Sequence, residues 1–474
     1  MSEIQKDSMQ YHDEAFGHHE KCLSFFERVE RGEIIYVCLD GTITGNGVSF
    51  SEEPINGFSQ TNTVSFSILN DEMISYDKEM LESLKDEYKP FFCGFNAQLE
   101  LDNWDNVQGM QGNWFEGRFV SEEVEYIFDG KIFTLEGFLQ TSASPINSIK
   151  GRLIIFKDSS FKKTVLDQIN SVYNPSMFSC ASNVDVQTEL DSAWGDCIPK
   201  TIDIYNVGHG NCDYIRGDGR RILYDVGYNY PMVPRLCETS FPRAVKAMRK
   251  MKPSVVIISH WDLDHFIGCA YADKDLFNVK WIAPALVNGS DSAGINAMRI
   301  AHYLYKRGNL LLVDRNSTNK MIANVNCLNG IQIKLWLGTG TSKYITQRNI
   351  EGLTIEILDL NGNCPHVLLA GDVPYHCISP SVFNSLIEFM HVPHHCSKME
   401  LAKLKTINPY VKGKYAIVST NRNIDDSINC DNAHQAEIEK RFENLIFTID
   451  NEINDDNCNL SIVLDCCRRI VDFR

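Results

Sequence analysis

The sequence has no long hydrophobic run, because none of its uninterrupted apolar stretches approaches the roughly 20 residues that cross a bilayer. Its first residues, Met-Ser-Glu-Ile-Gln-Lys-Asp-Ser, are polar and acidic and do not resemble a signal peptide. The 16 cysteines include no Cys-x-x-Cys pair and, apart from the adjacent Cys466 and Cys467, are typical of ordinary thiols in a reducing compartment. These absences favour a cytoplasmic protein with no membrane partner.

An excess of basic residues is also absent. The formal net charge is −17, and residues 1–200 contain 33 acidic against 15 basic side chains, a net charge of −18. The other 29 acidic and 30 basic side chains give residues 201–474 a net charge of +1. A protein that wraps duplex nucleic acid would show the reverse, since phosphate neutralisation dominates its affinity. A site for one phosphodiester is still compatible with this charge, because two divalent cations would add about +4 locally.

The length predicts more than one domain, because 474 residues exceed what a single core usually holds. We predict an acidic β-rich domain of unknown role at residues 1–170, a linker at 171–197, and a second domain at 198–474. The linker is expected where Asn, Ser, Asp and Pro accumulate. Within the first domain, the sequence predicts a short helix over residues 12–31 and an amphipathic helix over residues 71–88.

The most informative segment is residues 259–268, which read Ser-His-Trp-Asp-Leu-Asp-His-Phe-Ile-Gly. They follow the apolar run Val-Val-Ile-Ile, so we expect a strand that ends in a tight loop. Two imidazoles and two carboxylates within six residues are typical ligands of one or two divalent metals. Without a metal these groups would repel one another or stay unsatisfied. A solvated polar loop is the alternative interpretation.

Other polar side chains also follow apolar, β-rich segments. They are His209 after residues 201–207, Asp225 after 221–224, Asp372 after 367–370, and the pair His394 and His395 after 389–393. Open α/β sheets place their ligands at the ends of strands. The ordered set therefore predicts one site assembled from several strands.

The same motifs, in the same order, resemble those of metallo-β-lactamase-fold hydrolases. They are most similar to the branch that contains the soluble hydrolase domain of the bacterial competence protein ComEC. The matching segments are Val207-Gly-His-Gly210, Tyr224-Asp-Val-Gly227, residues 259–268, Asn349-Ile-Glu-Gly-Leu-Thr-Ile355, Gly371-Asp372, His394-His-Cys-Ser397, Tyr415-Ala-Ile-Val-Ser419 and His434. The resemblance covers residues 198–474. It implies an α/β fold, a metallo-β-lactamase αββα sandwich, which here follows a β-rich N-terminal domain.

Three features depart from the family pattern. Asp262 stands where many members carry histidine, although the competence branch also has aspartate. Cys396 replaces the glycine of His-His-Gly-Ser. The middle histidine ligand of the wider family has no clear equivalent, since neither His366 nor His376 fits and His302 lies at helical spacing among apolar residues. We interpret His302 as a core histidine. Asp262 replaces an imidazole by a carboxylate, which is a harder ligand, so manganese or iron competes with zinc for the site.

The resemblance implies a role for each matched side chain. His260 and Asp262 would hold one metal, Asp264 and His265 the second, and Asp372 would bridge them. His394 is the expected last ligand, with His395 as a catalytic donor to the substrate and Asp264 also as a proton carrier. Four further residues are expected to orient the ligands or meet the substrate: His209, Asp225, Lys398 and His434.

These roles predict a two-metal-dependent hydrolase, a phosphodiesterase or nuclease that uses a metal-bridging hydroxide and two divalent metal ions, zinc or manganese. Nucleic acid or a small phosphodiester is the expected substrate, and the acidic N-terminal domain is a candidate surface for a protein partner. One alternative is a small-molecule phosphoesterase or lactonase, which the acidic N-terminal part suits. Another is a catalytically inactive metal-binding scaffold or sensor.

Overall fold

The structure is a computed structural model of the 474-residue chain. It describes residues 33–40, 42–44, 47–49, 63–83, 95–100, 114–121, 132–141, 144–156, 163–228, 241–287, 293–317, 320–342, 345–362, 364–401, 411–420, 428, 430–450, 459–465 and 470–473.

Helices occur in both halves of the chain. Among the described residues they are α1 (Asp71–Ser83), α2 (Lys163–Tyr173), α3 (Asn183–Trp194), α4 (Phe241–Met248), α5 (Leu263–Phe266), α6 (Ile295–Lys306), α7 (Gln347–Ile350) and α8 (Asn432–Glu439). The helix predicted over residues 71–88 is confirmed by α1 for its described part. The helix predicted over residues 12–31 lies outside the described residues.

The N-terminal part is built of antiparallel strands. They are β1 (Ile35–Asp40), β2 (Thr42–Thr44), β3 (Gly47–Ser49), β4 (Thr63–Leu69), β5 (Phe95–Glu100), β6 (Trp114–Ser121), β7 (Ile132–Thr141) and β8 (Ser144–Phe156). Six of them close into a barrel in the order β1-β4-β5-β7-β8-β6, and β2 pairs with β3. Closure leaves the barrel without an unpaired sheet edge. The predicted β-rich N-terminal part is confirmed.

By its contacts the chain divides into two compact units. The first contains residues up to Phe178 together with the segment Leu286–Gly308, and the second contains Ser179–Asn229 and Asn309–Arg474 among its parts. Helix α6 thus belongs to the first unit although it lies between segments of the second in sequence. The domain limits at residues 170 and 198 stay a prediction. Residues 171–197, expected as a linker, include the helix α3.

Helices α1, α2 and α6 pack together within the first unit. Arg299 Nε donates to Asp77 Oδ2 at 2.7 Å, and both side chains are fully buried. The Tyr173 hydroxyl donates to the same carboxylate. His302 is 3% exposed, and its Nδ1 lies 3.2 Å from the carbonyl oxygen of Val172. His302 is therefore a core histidine, as interpreted, although its Nε2 makes no hydrogen bond in the described part of the chain.

The second unit contains two large mixed sheets. The first sheet has the strands β9 (Thr201–Tyr205), β10 (Asp213–Arg216), β11 (Arg221–Tyr224), β12 (Val255–Ile257), β13 (Lys280–Pro284), β14 (Leu310–Val313), β22 (Asn459–Asp465) and β23 (Ile470–Phe473). Their order is β14-β13-β12-β11-β10-β9-β22-β23. The second sheet has β15 (Met321–Asn326), β16 (Ile331–Leu337), β17 (Leu353–Asp359), β18 (Val367–Leu369), β19 (Ile387–His391), β20 (Gly413–Val418) and β21 (Phe442–Phe447), paired in that sequence.

The two sheets share one apolar core. It includes Ile222 of the first sheet and Ile355 of the second. Strand β16 alternates buried and partly exposed residues, as expected of a strand with one face on the core. The outer faces are also covered, since Val256 of β12 is buried and Met390 of β19 packs in a second cluster with Ile438 of α8. The predicted αββα sandwich is therefore confirmed.

Two further expectations concern membranes and thiols. None of the described helices combines the length and the apolar character that a membrane crossing requires. Nine cysteines among the described residues are free thiols, and Cys364 is disulfide-bonded. The expectation of ordinary thiols did not include that disulfide.

Candidate metal centre

The candidate centre begins where the neighbouring parallel strands β11 and β12 end. Asp225 follows β11 with a φ of 59°, a left-handed conformation that is uncommon for a residue with a side chain. Its carboxylate accepts hydrogen bonds from the backbone N–H of Ser259 at 2.6 Å and from the Ser259 hydroxyl at 2.8 Å. Asp225 thereby fixes the start of the loop that carries the predicted ligands.

Asp225 also orients His265. The Nδ1 atom of His265 lies 2.8 Å from Asp225 Oδ2, which places the proton on Nδ1 and leaves Nε2 facing inward. That Nε2 atom lies 3.3 Å from Asp372 Oδ1 and 3.4 Å from Asp264 Oδ2. Burial alone would lower the pKa of His265, but the three surrounding carboxylates raise it well above its ordinary value. The Nε2 atom of His265 therefore either binds a second proton or shares a metal cation with the carboxylates.

His260, like His265, has its Nδ1 atom held by a neighbouring oxygen. Its Nδ1 atom lies 3.0 Å from Ser259 Oγ, and its Nε2 atom lies 3.2 Å from Asp262 Oδ2 and 3.7 Å from Asp372 Oδ2. The Asn349 amide nitrogen lies 3.2 Å from both His260 Nε2 and Asp372 Oδ2. Asn349 belongs to a matched motif, but the sequence interpretation gave neither it nor Ser259 a role.

Asp262 has a partner that the sequence did not reveal. Its Oδ1 atom forms an ion pair with Nε of Arg348 on α7, while Oδ2 faces His260. The Arg348 side chain is 3% exposed. The side chain of Thr346 caps the N-terminus of α7 by accepting the backbone N–H of Asn349. No periodicity or spacing in the sequence connects Arg348 with the loop at residues 259–268.

Asp372 lies just after β18, at a point of close backbone approach. Gly371 has a φ of 54°, and a Cβ atom there would lie 2.6 Å from Cβ of Ser259. Asp372 Oδ1 is buried and makes no hydrogen bond in the described part of the chain. Burial alone would raise the pKa of Asp372, but the nearby imidazoles, that of His265 foremost, hold it well below its ordinary value.

The histidine pair lies in a strained turn after β19. His394, His395 and Cys396 have φ values of 53°, 49° and 65°, three consecutive left-handed residues. His395 Nδ1 lies 2.9 Å from the Ser419 carbonyl oxygen, so Nε2 faces inward, 3.0 Å from Asp264 Oδ2. His394 is partly exposed, and its Nε2 lies 3.7 Å from the nearer oxygen of Asp372. Both histidines reach the centre, and His395 reaches it from the more buried position.

Two groups of potential ligand atoms converge within 4.8 Å in the described residues: His209, Asp264 and His395, and His260, His265 and Asp372. Both groups include side chains from distant parts of the sequence. Burial alone would raise the pKa of Asp264, but the two imidazoles beside it hold it well below its ordinary value. Gly227 permits this approach, because a Cβ atom there would lie 2.0 Å from the Asp264 carbonyl oxygen.

Other candidate histidines and Lys398 lie outside the two groups. Lys398 is exposed. His434 is fully buried, with Nε2 3.0 Å from the Tyr375 hydroxyl and Nδ1 2.9 Å from the Ser397 carbonyl oxygen, and burial lowers its pKa to about 4. His366 lies 3.0 Å from a carboxylate oxygen of Glu356. Neither His302, His366 nor His376 is in a described ligand group, so none of them replaces the missing middle histidine there.

Comparisons with known proteins yield partial structural similarity. No protein-family model matches the chain, and neither does any curated protein. Among solved structures, a metallo-β-lactamase from Cronobacter sakazakii is 14% identical, with a TM-score of 0.24 over 40% of this chain and 75% of that one. An N-acyl homoserine lactone hydrolase is 15% identical, with a TM-score of 0.23 over 37% and 74%. The metallo-β-lactamase SMB-1 is 15% identical, with a TM-score of 0.24 over 52% and 95%.

Proposed function

We propose that the chain is a metal-dependent hydrolase that binds two divalent cations in the second unit. The observation that carries this proposal is the convergence of four imidazoles and two carboxylates, mostly buried, in the groups His209, Asp264 and His395, and His260, His265 and Asp372. Buried carboxylates are costly unless they are paired with cations or hydrogen-bond donors. The donor set of imidazole nitrogens and carboxylate oxygens suits zinc, manganese or iron.

The residues fit a metal in two further respects. Asp372 Oδ1 is buried and without a hydrogen bond in the described part of the chain, yet it lies 3.3 Å from His265 Nε2 and 3.6 Å from His395 Nε2. The Nδ1 atoms of His260, His265 and His395 are each held by an oxygen outside the centre. That arrangement fixes the tautomer in which Nε2 is free to bind a metal.

In this proposal His260, Asp262 and Asp372 would hold the first cation. Asp264, Asp372 and His395 would hold the second, His395 rather than His394 because its Nε2 lies 3.0 Å from Asp264 Oδ2. His265 groups with His260 and Asp372, but its Nε2 also lies 3.4 Å from Asp264 Oδ2, and we assign it to the second cation. His209 groups with Asp264 and His395 and is a further candidate ligand. Two divalent cations supply water of lowered pKa and stabilise negative charge on a phosphoryl group.

The surrounding residues would position the reacting groups. Asp225 holds His265 and, through Ser259, the loop that carries the ligands. Asp264, with an 18% exposed side chain, is our candidate to take up a proton and pass it to the leaving group. His394, also partly exposed, is the candidate donor to a substrate oxygen. Lys398 stays a candidate for binding a substrate oxygen.

We infer a phosphodiester substrate, with nucleic acid first, because the order of motifs resembles the competence-protein branch. A small-molecule phosphoesterase or lactonase is the second candidate, which the net charge of −18 in residues 1–200 favours. An inactive metal-binding scaffold or sensor is the third. A cytoplasmic location and a protein partner for the acidic N-terminal part remain proposals.

A side-by-side assay tests these candidates. The full-length protein, supplied with manganese or zinc, is incubated with linear DNA, RNA, an aryl phosphodiester and an acyl homoserine lactone. We expect metal-dependent cleavage of nucleic acid that Asp264→Ala abolishes and Asp275→Ala, a change in an exposed surface ion pair, leaves intact. Cleavage of the aryl phosphodiester or lactone alone would move the assignment to a small-molecule enzyme. Metal binding without turnover of any substrate would favour the scaffold.

A further inference from the structure

We propose that Arg348 competes with a metal ion for Asp262, and that it makes the position of His260 and Asp262 the weaker of the two metal positions. The centre would then hold one firmly bound ion and one that exchanges readily with the surroundings. This inference rests on the proposed two-metal centre, but it concerns the loading of that centre rather than the substrate.

The two carboxylate oxygens of Asp262 face different partners. Nε of Arg348 lies against Oδ1 as an ion pair without a hydrogen bond between the two atoms, and Oδ2 lies 3.2 Å from His260 Nε2. Asp262 can therefore offer one oxygen to a cation beside His260 while the other stays with Arg348.

Arg348 is buried beside the proposed first metal position. Its side chain is 3% exposed, and it lies on α7 directly before Asn349, which contacts both His260 and Asp372. A buried guanidinium stays charged at every pH at which the protein is folded. The positive charge is thus a permanent part of the first metal position.

The second position has no such cation. In the described part of the chain the carboxylates of Asp264 and Asp372 form ion pairs only with histidines. An imidazole can bind a divalent ion through its Nε2 atom, whereas a guanidinium beside a ligand cannot bind the ion and repels it. Coulomb repulsion between a single and a double positive charge in a partly buried site is sufficient to weaken binding by roughly tenfold or more. We therefore expect the second position to fill first.

Titration of the full-length, chelator-treated protein with Mn²⁺ alone tests the inference by calorimetry or by competition with a fluorescent chelator. The wild-type protein should bind two ions with dissociation constants that differ by roughly tenfold or more. Arg348→Gln should strengthen the weaker step and narrow the gap, whereas Arg348→Lys should keep it. Arg441→Gln, which removes an ion pair with Glu437 outside the centre, is the matched control and should leave both steps unchanged.

A second variant covers the case in which Arg348→Gln does not fold. Asp262→Asn should remove or strongly weaken the weaker step and leave the stronger one in place. Two equal steps in the wild-type protein would overturn the inference, as would an unchanged or weakened step in folded Arg348→Gln. A single ion in the wild-type protein and a second one gained in Arg348→Gln would support it, whereas a single ion in both would overturn it. Unequal binding without turnover of any phosphodiester would contradict the proposed substrate and leave the inference intact.

Discussion

His391 and Asp213 join the two sheets of the second unit through a contact of 2.8 Å between Nδ1 and Oδ2. The other ring nitrogen of His391 lies 2.9 Å from the Ser419 hydroxyl. The carbonyl oxygen of the same serine accepts the hydrogen bond that orients His395. All four residues are buried. A polar chain in the core therefore connects the packing of the sheets with the orientation of a candidate ligand.

We expect His391→Ala to destabilise the protein strongly, because it leaves Asp213 buried without its partner. Burial raises the pKa of Asp213, and His391 opposes that shift. Removing one member of a buried pair costs about 3–5 kcal/mol in the free energy of unfolding. Urea unfolding measures this cost. Asp275→Ala in the exposed pair with Lys252 is the control and should cost no more than about 1 kcal/mol. Equal costs for the two variants would contradict the role given to His391.

Asp264→Ala and His265→Ala should each reduce turnover by at least about 10²-fold while the protein stays folded, because each removes a ligand and Asp264 is also the candidate proton carrier. Asp225→Asn should act less directly. It disturbs the orientation of His265, and changes of this kind lower metal affinity by about 10–100-fold. Turnover on the best substrate and circular dichroism are the measurements. Near-normal activity of all three variants would place the active site elsewhere.

The metal content should be close to two divalent ions per chain when the protein is equilibrated with metal. Asp372→Asn should lose more than one of them, since Asp372 lies 3.3 Å from His265 and 3.7 Å from His260 and so faces both positions. Elemental analysis after gel filtration in buffered metal decides the point. A stoichiometry of one in both the wild-type protein and Arg348→Gln would indicate a mononuclear site.

The sandwich is predicted by the resemblance to metallo-β-lactamase-fold hydrolases, whereas the candidate centre is predicted by polar side chains that follow strands in a fixed order. Asp225, His265 and Asp372 are expected in one site on that second ground. Arg348 could not be placed there, since its role depends on how a short helix after residue 346 packs on a loop more than 80 residues earlier in the chain. The sequence also did not predict that α6 belongs to the first unit, for a similar reason. Its apolar periodicity indicates a buried face but does not indicate which partner covers it.

The buried ion pair of Asp77 and Arg299 should stabilise the packing of α6 within the first unit. The ion pair is fully buried, and the Tyr173 hydroxyl donates to the same carboxylate. Arg299→Met should therefore destabilise the protein by about 3–5 kcal/mol, because it leaves Asp77 buried without a cation. The double variant Asp77→Leu, Arg299→Met should recover part of this loss, since paired apolar groups avoid the unpaired charge. Thermal unfolding of the single and double variants tests the prediction, and no recovery would contradict it.

The stability of the protein should fall as the pH drops from about 6.5 towards 4, in part because of His302. Burial, the largest cause, lowers the pKa of His302 to about 4, against an ordinary value of 6.5. The folded state therefore excludes a proton that the unfolded state binds. His302 costs no folding stability above about pH 6.5, and it lowers the free energy of unfolding increasingly as the pH falls towards 4. Linkage gives about 2 kcal/mol between pH 7 and pH 5 for one such histidine. His302→Gln should make the decrease in the urea-derived free energy of unfolding shallower by about that amount. His376→Gln, at a partly exposed position, is the control and should keep the wild-type slope. Identical slopes for the wild-type protein and His302→Gln would mean that His302 is not the residue that excludes the proton.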